Sequence, residues 1–257
     1  RAAKMSKYVD HVLALLPFEP PYMEAEGMTC DFVGHPAVSS PHVSKKAQEK
    51  FKKKYNLHNG PIITVLPGSR IGEIKRMCPI FNKVLNNIEK LYPDSQFILP
   101  VASSVEKDVV NAVKSWNIKP LLLLNEGKDL KEIEHDKFIT YSISSAALAT
   151  SGTVSLELAA KKCPMIVAYK ANWITTKMVK KLAKIDTANL INIITDTKVI
   201  PEHLFENCTV ENITESLRSL LNNDNNQIKA MEETMNRLGA DRKDIHLLAA
   251  NSVLNNI

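Results

Sequence analysis

Cysteine is scarce in this sequence, and long hydrophobic runs are missing. The four cysteines among the 257 residues lie at least 45 residues apart, which excludes a CxxC motif for zinc binding or redox chemistry. The longest apolar runs, such as Val12 to Pro17, are far shorter than the roughly 20 residues that cross a bilayer. No apolar stretch typical of a secretory signal follows Arg1. We therefore expect a cytosolic protein with reduced thiols.

A strong excess of one charge is also missing. The sequence has 33 Lys and Arg residues against 28 Asp and Glu residues, a formal net charge of +5. Lysine far outnumbers arginine, the residue favoured for reading bases, and there is neither zinc-finger spacing nor an RNA-binding aromatic motif. We expect no nucleic-acid partner. The composition, 44% hydrophobic and 24% charged, is that of a globular protein and excludes a disordered or fibrous chain.

Short apolar segments alternate with helical patterns from Pro61 onward. Buried strands separated by helices require a parallel sheet that is covered on both faces. The sequence therefore predicts an α/β protein with a Rossmann-like, doubly wound parallel sheet and a helical C-terminal tail. The predicted strands of this sheet are 62–66, 96–101, 121–124, 146–150 and 164–169.

The segment 34–41 has the composition of a linker, with two prolines and two serines in eight residues. Shorter strands at 12–16 and 30–33 precede it. We expect a domain boundary near residue 40, with one domain over 41–257. Because the first residue is Arg1 rather than Met, we also expect the sequence to be a processed product or a piece of a longer protein.

The first turn with chemical potential follows the strand 62–66. Gly68 allows the backbone to approach a ligand closely, the Ser69 hydroxyl can donate a hydrogen bond, and Arg70 can bind a phosphate through two N–H groups. In an open parallel sheet, ligands bind at the carboxyl ends of the strands, where this turn lies.

The second turn, Thr150-Ser151-Gly152-Thr153, lies at the end of the strand 146–150 and opens a helix. Free amides at the start of a helix attract an anion such as a diphosphate. Glu157 lies one helical turn further on and can accept hydrogen bonds from both hydroxyls of a ribose. The two turns together predict a site for a nucleoside diphosphate. The alternative is that each is an ordinary turn or helix cap, with Glu157 an ordinary first-turn acid.

At these residues the sequence closely resembles lipid A disaccharide synthase, a family of bacterial glycosyltransferases of the GT-B type. The resemblance covers nearly the whole chain in the expected order. It is carried by the segments Leu15-Leu16-Pro17-Phe18-Glu19, Phe32-Val33-Gly34-His35, Leu66-Pro67-Gly68-Ser69-Arg70, Ser151-Gly152-Thr153 with Glu157, Lys162-Cys163-Pro164-Met165, Leu182-Ala183-Lys184 and the region of Asn189 to Asn192.

The resemblance implies transfer of 2,3-diacylglucosamine from its UDP derivative onto 2,3-diacylglucosamine 1-phosphate, with release of UDP and without a metal or other cofactor. It places Gly68, Ser69 and Arg70 and the residues Ser151, Gly152 and Thr153 at the donor diphosphate, and Glu157 at the ribose. It implies that Asn192 is a second donor-site group, presented across a homodimer. It also implies a Gram-negative source and a cytoplasmic enzyme at the inner-membrane surface.

The family's general base and acceptor loop precede the part of the family that this sequence matches. The resemblance therefore makes residues 1–40 the end of the acceptor-side domain with the interdomain linker, and residues 41–257 the UDP-sugar-binding domain. We expect no catalytic base in this chain, and no activity of the chain alone. Two other functions stay open, a UDP-sugar epimerase of GT-B shape and a non-catalytic UDP-binding module from a split gene.

The segment 172–184 is a candidate membrane contact because the implied substrates are acylated. Its apolar residues recur at helical spacing beside a cluster of lysines, a pattern typical of a basic interfacial helix. The alternative is a surface helix whose apolar stripe packs on its own domain and whose lysines are solvated. The residues expected to meet the membrane are Trp173, Lys177, Lys180, Lys181 and Lys184.

Overall fold

The computed structural model of the protein describes residues 2–150, 152–170, 187–222, 226–242 and 244–256. The chain divides into two units, one formed by residues 1–40 with 232–257 and the other by residues 41–231. The expected domain of 41–257 therefore differs from the larger unit at residues 232–257, which pack with the first forty residues.

The smaller unit is built on two parallel strands, β1 (His11–Ala14) and β2 (Thr29–Phe32). The helix Ile245–Leu254 is tied to both strands through one side chain. The Ser252 hydroxyl donates to the Asp31 carboxylate at 2.6 Å and lies 2.8 Å from Nε2 of His11. These contacts fix the C-terminal helix to the strands. The other helices of this unit are Ala2–Met5 and Pro20–Glu24.

The segment expected to be a linker is held by the same C-terminal part of the chain. The His35 amide donates to the carbonyl oxygen of Leu238 at 3.0 Å. Gly34 has a φ of +93°, and a Cβ atom there would lie 2.7 Å from Cγ2 of Ile245. His35 itself caps the short 3₁₀ helix Pro36–Ser39 through Nδ1, and burial lowers the pKa of its imidazole. Residues 34–39 are thus packed and hydrogen-bonded.

The larger unit contains one six-stranded sheet in which every pair of neighbouring strands is parallel. The predicted doubly wound parallel sheet is confirmed. Its strands are β3 (Ile62–Leu66), β4 (Gln96–Pro100), β5 (Leu121–Leu123), β6 (Ala146–Ala149), β7 (Met165–Tyr169) and β8 (Glu202–Leu204).

The strand order in this sheet is β5-β4-β3-β6-β7-β8. The chain runs outward from β3 to β5, returns to the middle of the sheet at β6, and then runs outward on the other side. The order therefore reverses between β3 and β6, which pair in register from Ile63 with Ala146 to Leu66 with Ala149. In open α/β sheets, the crevice at the carboxyl ends of two such strands is the usual ligand site.

Helices cover both faces of the sheet, as expected for strands that are apolar on both sides. The helix Ile71–Leu91 buries Ile74, Cys78, Phe81, Leu85 and Ile88, whose spacing of three to four residues forms one apolar face. These side chains join Leu99 and others in one core cluster. The remaining helices of this unit are Lys45–Lys54, Glu106–Lys114, Leu130–Ile143, Val154–Ala160, Leu190–Thr195 and Val210–Leu221; Gln227–Arg237 spans the division between the two units, and 3₁₀ turns lie at Ser103–Val105 and Phe205–Asn207.

Two elements of the sheet region were not predicted from the sequence. The edge strand β8 has only three residues, Glu202, His203 and Leu204, all half-buried, so it lacks the apolar run that marks the other strands. The helix Leu190–Thr195 is six residues long and begins at Asn189, whose side chain caps the Ile191 amide. Both are too short to produce a clear period in the sequence.

Candidate functional site

The loops after β3, β4, β5 and β6 border one cavity of about 540 Å³ in the larger unit. Hydrogen bonds hold these loops together. The Thr150 amide, just after β6, donates to the carbonyl oxygen of Leu66 at the end of β3, at 2.8 Å. The Ser104 hydroxyl, after β4, donates to the carbonyl oxygen of Ser69 at 3.0 Å. The cavity therefore lies at the carboxyl ends of the strands, where the strand order reverses.

The structure brings the two predicted turns to this one cavity. The predicted residues that line it are Gly68, Ser69, Arg70, Gly152, Thr153 and Glu157. Ser151 lies outside the described residues. Because the turns belong to neighbouring parallel strands, groups from both can contact a single ligand of diphosphate size.

The β3 turn is organised by the carboxylate of Glu73, which sequence reasoning missed. One oxygen of Glu73 accepts the amides of Ser69 at 2.9 Å and of Arg70 at 3.3 Å. The other oxygen pairs with the Arg70 guanidinium at 2.9 Å. The Glu73 side chain is 8% exposed, whereas that of Arg70 is 81% exposed. The buried Glu73 carboxylate thus holds the turn in place and binds one nitrogen of the exposed Arg70 guanidinium.

Gly68 was expected to let the backbone approach a ligand, but the group beside it is Glu73. Gly68 has a φ of +117°, which favours glycine. A Cβ atom at this position would lie 2.4 Å from a carboxylate oxygen of Glu73 and 2.6 Å from its Cβ. The glycine therefore provides the space in which Glu73 reaches the turn.

The β6 turn is open by contrast. The amides of Gly152, Thr153 and Val154 donate to no other described residue, and an added Cβ at Gly152 would meet no atom within 4 Å. Thr150 lines the cavity, and its buried hydroxyl has no hydrogen-bond partner among the described residues. Buried polar groups are nearly always hydrogen-bonded, so such a group at a cavity wall indicates a position for a ligand.

Glu157 faces the cavity from the first turn of the helix Val154–Ala160 and pairs with Lys137. The Nζ atom of Lys137 lies 3.2 Å from one carboxylate oxygen of Glu157 and 3.1 Å from the other. Both side chains are only partly exposed. The carboxylate keeps further acceptor positions, since each of its oxygens carries two lone pairs. Below it, burial raises the pKa of Tyr141, and the charge of Glu157 raises it further.

A second charged pair also lines the cavity. Lys128 donates to Asp136 at 2.9 Å, and both residues line the cavity with Asn125. Burial opposes the charge of Lys128, but the hydrogen bonds and charges of Asp136 and Tyr55 together outweigh it and raise the pKa of the lysine. The Asn125 side chain donates to Glu106 at 2.7 Å. These groups add polar side chains to the lining of the cavity, which also includes the apolar residues Leu123, Leu124 and Ile133.

Sequence reasoning missed Glu73 and Lys137, and it placed Thr150 in the second turn without giving it a role. Glu73 stands three residues after Arg70, the spacing of a capping box, so a local signal was present. Thr150 is the last residue of the predicted strand 146–150 and directly follows the observed β6, in the position where site residues of such sheets occur. Lys137 lies in the middle of a helix twenty residues before Glu157, and no local pattern distinguishes it.

Asn192 does not line the cavity. Its side chain is buried and binds Ile200 through both polar groups, donating to the Ile200 carbonyl oxygen at 2.9 Å and accepting the Ile200 amide at 3.0 Å. It also contacts Glu202 at 3.2 Å. These bonds close the turn between the helix Leu190–Thr195 and β8. Contact with a donor substrate would require these bonds to be released.

The expected membrane contacts Trp173, Lys177, Lys180, Lys181 and Lys184 lie outside the described residues. Within the described part of the chain, no helix combines the length and the apolar character needed to cross a bilayer. The same residues contain no group of three or more His, Cys, Asp or Glu side chains arranged to hold a metal ion.

Comparison with solved structures defines the class of fold. A UDP-GlcNAc 2-epimerase from Neisseria meningitidis, crystallised with UDP-GlcNAc, matches 97% of this chain and 62% of its own with a TM-score of 0.65 and 13% identity. A glycosyltransferase from Rickettsia africae matches 97% of this chain and 65% of its own with a TM-score of 0.56 and 16% identity. The chain has the Rossmann-like α/β fold of GT-B glycosyltransferases.

Sequence comparison identifies the family. The profile of the lipid-A-disaccharide synthetase family matches residues 1–254, and the chain belongs to this family. It is 42% identical to the lipid-A-disaccharide synthase of Ruegeria pomeroyi over 257 residues, all of this chain. The chain spans 64% of the length of that relative and 62% of that of a Rhodospirillum centenum relative, which is 36% identical.

We predict that Asn192→Ala lowers the free energy of unfolding by on the order of 2 kcal/mol. The substitution leaves the buried amide and carbonyl groups of Ile200 without their partners, and an unsatisfied buried group costs about 1–3 kcal/mol. Urea denaturation measures the change. Asn111→Ala, at an exposed position on the helix Glu106–Lys114, is the control and should change stability by less than about 0.5 kcal/mol. Equal stability of native protein and Asn192→Ala would contradict the structural role.

Proposed function

We propose that this chain forms the donor-binding part of a lipid-A-disaccharide synthase. The full reaction transfers 2,3-diacylglucosamine from its UDP derivative to 2,3-diacylglucosamine 1-phosphate, forms a β-1,6-linked disaccharide and releases UDP. The observation that carries the proposal is the convergence of two phosphate-compatible turns on one cavity where the strand order reverses. Membership of the family supports the choice of reaction.

In the proposed site, the diphosphate lies between the two turns. The free edge of Arg70 and the Ser69 hydroxyl contact it from the β3 side, and the amides of Gly152 and Thr153 contact it from the β6 side, with Ser151 in the same turn. Negative charge accumulates on the diphosphate as the sugar departs. Donors that are already in place stabilise this charge without further rearrangement, which favours the leaving of UDP.

The ribose is proposed to bind Glu157, whose carboxylate faces the cavity one helical turn beyond Thr153. Lys137 limits the rotation of this carboxylate through contacts of 3.2 and 3.1 Å with its two oxygens. A fixed, ionised carboxylate is a strong acceptor for two neighbouring hydroxyl groups. The proposal needs no metal or cofactor and assigns no general base to this chain.

The fold alone is compatible with an epimerase, because a UDP-GlcNAc 2-epimerase has the same fold at 13% identity. A fold can carry several reactions, so this similarity does not select one. The family match over residues 1–254 favours the transferase. The epimerase complex with UDP-GlcNAc supports the narrower point that this fold accommodates a uridine diphosphate sugar.

We predict that Arg70→Ala and Glu157→Ala each weaken UDP binding by about 1–3 kcal/mol, the range for losing a charge-assisted hydrogen bond. Isothermal titration of this chain with UDP measures both changes. Arg76→Ala and Glu89→Ala are the matched controls, because neither residue lines the cavity. Equal affinity of the native protein and the two site variants would show that the nucleotide binds elsewhere, and no UDP binding by the native protein would refute the proposed function.

We also propose that the enzyme acts at the cytoplasmic face of the inner membrane, in contact through the segment 172–184. The sequence pattern of this segment and the acylated substrates of the proposed reaction support this.

For the membrane contact, we predict that changing Lys177, Lys180, Lys181 and Lys184 together to Gln reduces binding to anionic vesicles by more than tenfold. Each lysine near such a surface contributes about 1 kcal/mol. The control variant changes the exposed residues Lys75, Lys83, Lys90 and Lys107 to Gln, which removes the same charge elsewhere. Cosedimentation with vesicles measures binding, and equal losses in the two variants would mean that the segment has no special role.

A further inference from the structure

We infer that Glu73 is a positioning residue of the proposed donor site, which holds the β3 turn and the Arg70 guanidinium in the arrangement that receives the diphosphate. The inference rests on the proposed function, since it concerns the same ligand. It assigns a role to a residue that contacts the turn and is not proposed to contact the ligand.

The contacts of Glu73 cover the whole turn. Its carboxylate accepts the backbone amides of Ser69 and Arg70 and pairs with the Arg70 side chain, at 2.9 to 3.3 Å. The side chain is nearly buried, so these interactions are poorly screened by water. A turn whose donors are satisfied by its own chain keeps its shape whether or not a ligand is present.

Gly68 and Glu73 depend on each other sterically. A Cβ atom at Gly68 would lie 2.4 Å from a carboxylate oxygen of Glu73, so only glycine leaves room for the acid. The positive φ of +117° at Gly68 is the backbone conformation that turns the following amides toward this oxygen. The Pro-Gly-Ser-Arg turn and the glutamate three residues later therefore form one unit.

The contact with Glu73 also orients Arg70. A guanidinium carries five N–H donors, and only one of its terminal nitrogens, Nη1, is bound to Glu73. The remaining donors have no other partner among the described residues. An exposed arginine without such an anchor would adopt several rotamers, and a ligand would have to select one of them. The anchor removes part of this entropic cost of binding.

Charge and position predict opposite effects when Glu73 is neutralised. Removing a negative charge beside an anion site should tighten UDP binding by Coulomb attraction alone. Releasing the turn and Arg70 should weaken it. The inference therefore predicts weaker UDP binding by Glu73→Gln, whereas a purely electrostatic role for Glu73 predicts tighter binding.

The matched control is Glu132, which stands at the same position of another helix start. It accepts the Asp129 amide at 3.3 Å, as Glu73 accepts that of Arg70, but it does not line the cavity. Glu73→Gln and Glu132→Gln keep the size of the side chain and remove one charge. An effect of helix capping alone would appear in both variants.

For the experiment, UDP is titrated by calorimetry into the native chain, Glu73→Gln, Glu132→Gln, Arg70→Ala and the double variant of Glu73→Gln with Arg70→Ala. We expect Glu73→Gln to weaken binding by about five- to tenfold, the cost of ordering one long side chain, and Glu132→Gln to leave it unchanged. We expect Glu73→Gln to have a smaller effect in the Arg70→Ala background, because its action passes through Arg70.

Amide hydrogen exchange gives a readout that does not depend on UDP. The Ser69 and Arg70 amides should exchange faster in Glu73→Gln than in the native chain, and should be unchanged in Glu132→Gln. Unchanged or tighter UDP binding by Glu73→Gln, equal effects in both Arg70 backgrounds, or unchanged exchange at these two amides would each overturn the inference while leaving the proposed function in place. A native chain that does not bind UDP would refute the proposed function and this inference with it.

Discussion

The parallel pairing of β3 with β6 is the constraint on which the candidate site depends. These strands are 80 residues apart in the chain, yet Leu66 lies opposite Ala149 and the next amide, that of Thr150, still binds the Leu66 carbonyl oxygen. The two turns therefore leave the sheet side by side. After β3 and β6 the chain continues toward opposite edges of the sheet, an arrangement that leaves a crevice between the two turns.

The two turns meet the cavity in different states of hydrogen bonding. The β3 turn is satisfied by its own chain, since Glu73 takes the amides of Ser69 and Arg70. The β6 turn has amides and a buried hydroxyl, that of Thr150, without partners among the described residues. The β3 turn supplies a fixed backbone shape and an oriented Arg70 guanidinium, whereas the β6 turn supplies hydrogen-bond donors. The β3 turn is thus held in place by its own chain, and the β6 turn has donors left for a ligand.

Much of this arrangement could be predicted from sequence because its signals are local. The strand 62–66 has the bounds predicted, since five buried apolar or β-branched residues lie between Pro61 and the Pro-Gly turn. The turns themselves were located because each places glycine and side chains that can bind a phosphate at the end of a predicted strand. The doubly wound order follows from the alternation of strands and helices and from right-handed crossovers.

The parts that sequence reasoning missed depend on contacts between distant residues or on elements too short for a period. Lys137 meets Glu157 only because the helix Leu130–Ile143 lies beside the helix Val154–Ala160. The packing of residues 232–257 with 1–40 depends on contacts such as Ser252 with Asp31, which are 221 residues apart. Asn192 shows that a match to a family residue does not reveal the contacts of its side chain. Its side chain is buried and hydrogen-bonded to the backbone of Ile200.

The acidic residues around the cavity also bear on how different reactions arise on a shared fold. This chain shares its fold with a UDP-GlcNAc 2-epimerase at 13% identity and a TM-score of 0.65. The sheet fixes where a nucleotide sugar can bind, but the acids and bases around the cavity determine what happens to it. In this chain the cavity acids are engaged, Glu73 with the β3 turn, Glu157 with Lys137 and Asp136 with Lys128. Because these contacts hold the carboxylates in place, the residues are suited to binding and positioning.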